Sequence, residues 1–136
     1  MGAKKSKIET IPQNKYLDYL KKAEDFYSTM KLAYEKGNWN SAGLCAVHCA
    51  ISANDALLVY YKGIRSTSED HKEAVRLLIE TITTQEAGNN AQHLMKIIAK
   101  KNLIEYEHRL FFQSEAIEVM KHAERFFNWV RSMLPV

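Results

Sequence analysis

The segment Trp39–Lys62, WNSAGLCAVHCAISANDALLVYYK, constrains this chain more than any other. Wound as a helix it is apolar on nearly every side, and before the closing lysine its only acidic or basic residues are His48 and Asp55. A helix of that kind cannot rest on a surface with one face in water; it is the buried member around which other helices pack. Leu44, Val47, Ile51, Leu58 and Tyr61 supply bulk along one side, and Ala42, Ala46, Ala50 and Ala53 let neighbours approach closely. The polar pair Asn54-Asp55 sits near its middle and needs hydrogen-bond partners, because a buried polar group left unpaired costs free energy.

The remaining segments supply the packing partners. From about Lys15 to Lys36, Tyr16, Tyr19, Leu20, Ala23, Phe26, Tyr27, Met30, Ala33 and Tyr34 recur at alternating three and four spacing, which predicts a helix with one buried face. Gly37 closes it and Asn38 can cap the next. Gly63 closes the apolar helix. A third helix is expected after Thr67 or Ser68, where a hydroxyl followed by acids forms a capping-box variant, with Ala74, Val75, Leu77, Leu78 and Ile82 on its core face. The polar stretch Glu86–Asn90, with Gly88, reads as a connection, so a fourth helix is expected from about Ala91 to Leu103 or beyond. Glu105–Gln113 reads as irregular. Ser114 would then cap a fifth helix that runs to Met133 and buries Ile117, Met120, Ala123, Phe126, Phe127 and Val130. No segment shows strand alternation. Short connections favour antiparallel neighbours, so the expected fold is all-α, an up-and-down bundle of four to five antiparallel helices over residues 15–136.

Residues 1–14 are Lys-rich and polar and read as a mobile basic arm. Their start, MGAKKS, formally matches a myristoylation pattern that arises easily by chance, and it lacks the apolar core of a signal peptide. The apolar runs are read as too short to span a membrane, so no membrane association is expected. A net charge of +3 permits an anionic partner without identifying one. The two cysteines, Cys45 and Cys49, lie one turn apart on one helix face, an arrangement that suits packing in a reducing cytoplasm better than a disulfide.

Several constellations carry chemistry. Cys45, His48 and Cys49 could face a zinc ion, but no fourth ligand is evident. Glu105-x-x-His108 has the spacing used in di-iron bundles, yet there is no second copy. No metal site or cofactor is therefore expected. Asn54-Asp55 either pairs with a bundle cation or orients a polar site between helices. Arg65 and His71 combine a phosphate-holding cation with a proton carrier, the groups that phosphodiester cleavage uses. Lys101, Asn102, Glu105, Tyr106 and His108 bring a cation, an amide, a carboxylate, a phenol and an imidazole together. If all of it is helical, Lys101, Asn102, Glu105 and His108 fall near one face.

These residues taken together resemble the HEPN domains. The resemblance covers nearly everything after the arm and rests on the Ala46–Leu57 run AVHCAISANDAL, on Gly63-Ile64-Arg65-Ser66 with Asp70-His71, on Lys101-Asn102 with Tyr106-Glu107, and on the ending Ala123, Phe126, Trp129, Val130. It implies a four- or five-helix bundle that commonly pairs as a homodimer. Many such domains are RNA-cutting toxins or defence proteins of toxin–antitoxin type; others are non-catalytic partners of small nucleotidyltransferases or modules that bind nucleotide or RNA. Catalytic members carry Arg-x(4–6)-His near the start of a late helix. Here that place reads Lys101-Asn102 and Tyr106. Lys is a point charge without a bidentate fork, and Tyr does not shuttle protons near neutral pH. The literal Arg-x(4–6)-His is Arg65 and His71, between the second and third helices, where it looks like local scaffold.

The resulting expectation is a cytoplasmic, dimeric, non-catalytic binding or regulatory module for nucleotide or RNA, with a nucleotidyltransferase as a conceivable partner. Lys101, Asn102, Tyr106, Asn54 and Asp55 are its candidate ligand-binding residues. The alternative is a metal-independent RNase with a displaced Arg–His motif, for which Arg65, His71 and His108 are the catalytic candidates.

Overall fold

The computed structural model describes residues 7–135. Five α-helices run through them: α1 (Tyr16–Glu35), α2 (Trp39–Lys62), α3 (Lys72–Thr81), α4 (Gln85–Tyr106) and α5 (Gln113–Met133). The architecture is the all-α bundle that the periodicity predicts. α2 packs against all four other helices, and α4 and α5 pack on each other. This explains why α2 tolerates so little polarity: Ser52 through Val59 are buried without a break. By length and composition α2 is long and apolar enough to cross a membrane, contrary to the expectation that every apolar run is too short. That same apolar surface forms the centre of the bundle, with Val47, Leu57 and Leu58 fully buried.

α1 buries Leu20, Ala23, Met30 and Ala33, and its aromatics pack at the edge of the core. α5 buries Phe126, Phe127, Trp129 and Val130. Ile117 is an exception to the expected face: it is 43% exposed, because Ala116 and Val119 take the inward positions. Tyr61 is likewise exposed, with its hydroxyl donating to the Met133 carbonyl at 2.6 Å.

Three boundaries differ from expectation, each for a local reason. The polar stretch Glu86–Asn90 is helical. Thr84 Oγ1 accepts from the Ala87 amide at 3.1 Å and caps α4 ahead of Gly88, which the helix accommodates. α3 begins only at Lys72. Before it, the hydroxyl and acid residues build successive turns: Ser66 Oγ accepts from Ser68 N, Ser68 Oγ from Asp70 N, and Asp70 Oδ1 from Lys72 N, at 3.3, 3.1 and 3.1 Å. α5 begins at Gln113, leaving Ser114 inside its first turn; the start is secured by Glu115, whose carboxylate accepts from the Phe112 amide at 2.9 Å.

The expected arm is ordered where it is described. Ile8–Thr10 forms β1, which pairs antiparallel with β2 (Ile64–Ser66) in the register Ile8↔Ser66, Glu9↔Arg65 and Thr10↔Ile64. Two flanking backbone bonds, Thr67 N to Lys7 O and Ile11 N to Gly63 O, extend the pairing. Gln13–Lys15 then makes one 3₁₀ turn into α1. A three-residue strand is too short for alternation to register in a sequence. The myristoylation-like start lies outside the described residues.

Candidate functional site

Gly63 ends α2 in the left-handed conformation at φ 66°, which turns the chain directly into β2. Pairing with β1 then fixes the backbone of Arg65. Its guanidinium reaches Asp55 on α2 at 3.4 Å and lies over the Tyr19 ring, 5.5 Å from the centroid. Asp55 is 7% exposed and Arg65 30% at their side chains. Burial pushes the Asp55 carboxyl up to about 6, although Arg65 pulls the other way. Arg65 Nε is buried and has no partner within the protein.

The side-chain turns over residues 66–72 place His71 at the cap of α3. His71 borders two hollows. The smaller, about 180 Å³, is lined by Asp55, Arg65, Ser66 and Thr67 among others. The larger, about 350 Å³, lies between the start of α3 and the later part of α4. Its walls include Val75, Met95 and Ile98, with Lys72, Lys101 and Asn102 at its polar side. Burial lowers the affinity of His71 for a second proton, and the Lys101 charge lowers it further. Both causes favour the neutral imidazole of His71.

A further polar group adjoins this one. Lys101 Nζ bonds Glu105 Oε2 at 2.8 Å, and His48 Nε2 on α2 approaches Glu105 Oε1 at 3.6 Å. Burial opposes ionisation of Glu105, but the Lys101 hydrogen bond and charge outweigh it and hold the carboxyl low. Phe26 backs the His48 ring with centroids 5.4 Å apart. His48 and Glu105 act electrostatically on His71. In the sequence Glu105 already groups with Lys101 and Asn102, whereas His48 stands out only as a possible zinc ligand beside the two cysteines. A signal existed, since His48 and Asp55 lie two helical turns apart on one helix, but nothing local ties either to α4.

The structure thus brings Arg65, His71, Asp55, Lys101 and Asn102 together around two adjoining hollows. Asn54 points elsewhere: its Nδ2 donates to the Ala74 carbonyl at 3.3 Å, tying α2 to α3. Tyr106 is 73% exposed and lines neither hollow, although Lys101 Nζ lies 5.6 Å from its ring centroid. α4 ends at Tyr106, so His108 falls on the exposed connection and does not share a helical face with Lys101. The cysteines pack as expected: both are free thiols, and burial pushes Cys49 up to about 12. Among the described residues, no group of three or more His, Cys, Asp or Glu could hold a metal ion.

Comparison with known proteins adds the family. Two solved chains match; one, described as the crystal structure of ST0689, an archaeal HEPN homologue, superposes with a TM-score of 0.64 at 21% identity, covering 87% of this chain and 96% of that one. At that identity the likeness speaks for the fold alone. A search of curated proteins finds no match. The HEPN domain model matches residues 16–133, from the first residue of α1 to the last of α5, and the chain belongs to that family.

Proposed function

We propose that this HEPN domain is a binding module for a phosphate-bearing ligand, a nucleotide or one nucleotide unit of RNA. The observation that carries the reading is the position of His71. It joins an apolar-walled hollow of about 350 Å³, a size suited to a small ligand, to the Arg65–Asp55 hollow beside it. Val75, Met95 and Ile98 offer a surface for a base, and Lys101 and Arg65 offer charge for phosphate. Both cations are already paired, with Glu105 and Asp55, so the ligand must displace or share those partners. That arrangement favours modest, selective binding over strong non-specific attraction. A cytoplasmic homodimer working with a nucleotidyltransferase belongs to the same reading, supported by the family's habits.

A second reading, metal-independent RNA cleavage, is favoured by one specific observation. Burial and the Lys101 charge favour the neutral form of His71, which borders the same hollow as Arg65, so a base and a phosphate-holding cation are adjacent. Against it, Arg65 is held by Asp55.

Calorimetric titration with AMP and with a short single-stranded RNA separates these readings when paired with a metal-free cleavage assay. Lys101→Ala is expected to weaken binding and to reduce its salt dependence by about one unit of slope. Unchanged affinity and slope would remove Lys101 from the site. Cleavage by wild type that is lost in Arg65→Ala/His71→Ala would replace the binding reading with the enzymatic one.

A further inference from the structure

A second pair of imidazoles lies away from the hollows, across the seam between α4 and α5. His93 Nδ1 and His122 Nδ1 stand 2.9 Å apart, with ring centroids at 5.1 Å and ring planes at 40°. A centroid separation exceeding the nitrogen separation by about two ångströms means that the rings meet nearly head-on. Two such nitrogens form a hydrogen bond only when one carries a proton and the other presents its lone pair. With a proton on each, two N–H groups would point at one another. Both rings are half-buried, beside the buried Leu94 and Ala123.

We infer that His93 and His122 form a one-proton clasp that closes the α4–α5 seam at neutral pH and releases it on acidification. The charged groups that act on the pair are Lys96 on α4 and Glu118, Lys121 and Arg125 on α5. Among the described residues, α1, α2 and α3 also pack on these helices but bring no charged group that acts on it. Three cations against one carboxylate make the doubly protonated pair unfavourable beyond the head-on contact. Burial and this surplus of cations both lower the proton affinity of each ring. The sign follows: a histidine whose folded pKa is depressed stabilises the fold above its unfolded value of about 6.5 and loses that contribution as pH falls through it. The clasp is independent of the ligand reading above.

The test compares melting of the wild-type chain with that of His93→Gln/His122→Gln from pH 7.5 to 5.0. The contributions of Asp55 and His71 are common to both proteins and drop out of the difference. Wild type is expected to lose about 3–5 °C more than the double variant for each kcal/mol that the clasp contributes. Parallel profiles would overturn the proposal. An NMR titration of the wild-type imidazoles provides a check that requires no variant. It is expected to show coupled, two-step protonation with the second step well below the ordinary histidine range. Two independent single steps near 6.5 would overturn the clasp equally.

Discussion

Asp55 carries opposing demands in one side chain. It sits in the most apolar helix of the bundle, and Arg65, its one ion-pair partner among the described residues, reaches it at 3.4 Å through one nitrogen. A single long contact offsets burial only in part, which is why the carboxyl rises to about 6 while remaining the natural partner of the guanidinium. A raised carboxyl pKa stabilises the fold fully below the unfolded value and loses that contribution as pH rises through about 6. Removing the cation should therefore matter most when Asp55 is charged. Arg65→Ala is expected to cost on the order of 2 kcal/mol at pH 7.5 and distinctly less at pH 5, read from urea denaturation at the two pH values. An equal loss at both would show that Arg65 acts by packing on Tyr19 and not through the pair. The Asn54-Asp55 pair was legible in the sequence as a polar interruption of a buried helix. Its division of labour was not: Asn54 serves the α2–α3 contact and Asp55 the hollow, because neighbouring residues on a helix point about 100° apart.

At the level of elements, two glycines with opposite roles test how the helices are assembled. Gly43 lies on α2 under the connection between α4 and α5. A Cβ built there would meet the Phe111 ring at 2.7 Å and Ile104 Cδ1 at 3.2 Å. Phe111 is 3% exposed, and its amide donates to Asn40 Oδ1 at 2.8 Å, so the ring has little freedom to withdraw. Gly88, inside α4, would meet nothing within 4 Å. Gly43→Ala is expected to destabilise by about 1–3 kcal/mol through overpacking, whereas Gly88→Ala should stabilise by about 0.5–1 kcal/mol through helix propensity. Equilibrium denaturation decides both, and the same sign for the two would contradict the packing described. The five helices and the central place of α2 could be read from periodicity and from the all-round apolar character of Trp39–Lys62. The early start of α4 could not, since Gly88 and its polar neighbours imitate a loop and only the Thr84 cap reveals otherwise. The β1–β2 ribbon was equally hidden, because its pairing joins residues more than fifty positions apart.

Over the whole molecule, the candidate site gathers residues from β2, the start of α3 and the far end of α4 around one imidazole. Arg65 with His71, and Lys101 with Asn102, could each be singled out in the sequence. Their meeting at His71 depends on how α3 and α4 pack, which spacing along the chain does not encode. The two ends of the described chain also come to one end of the bundle. Lys7 is bonded to Thr67, and Met133 to Tyr61, so both are fastened to the exit of α2. The fold is thus nearly a closed loop, and its order along the chain is separable from its shape. A circular permutant joined from residue 135, so that the buried Leu134 is kept, to residue 7 by a Gly/Ser linker, and opened at the exposed Glu107–His108 step, is expected to keep the bundle and its cooperative melt. Loss of the cooperative transition would show that the fold depends on the α4–α5 connection remaining intact.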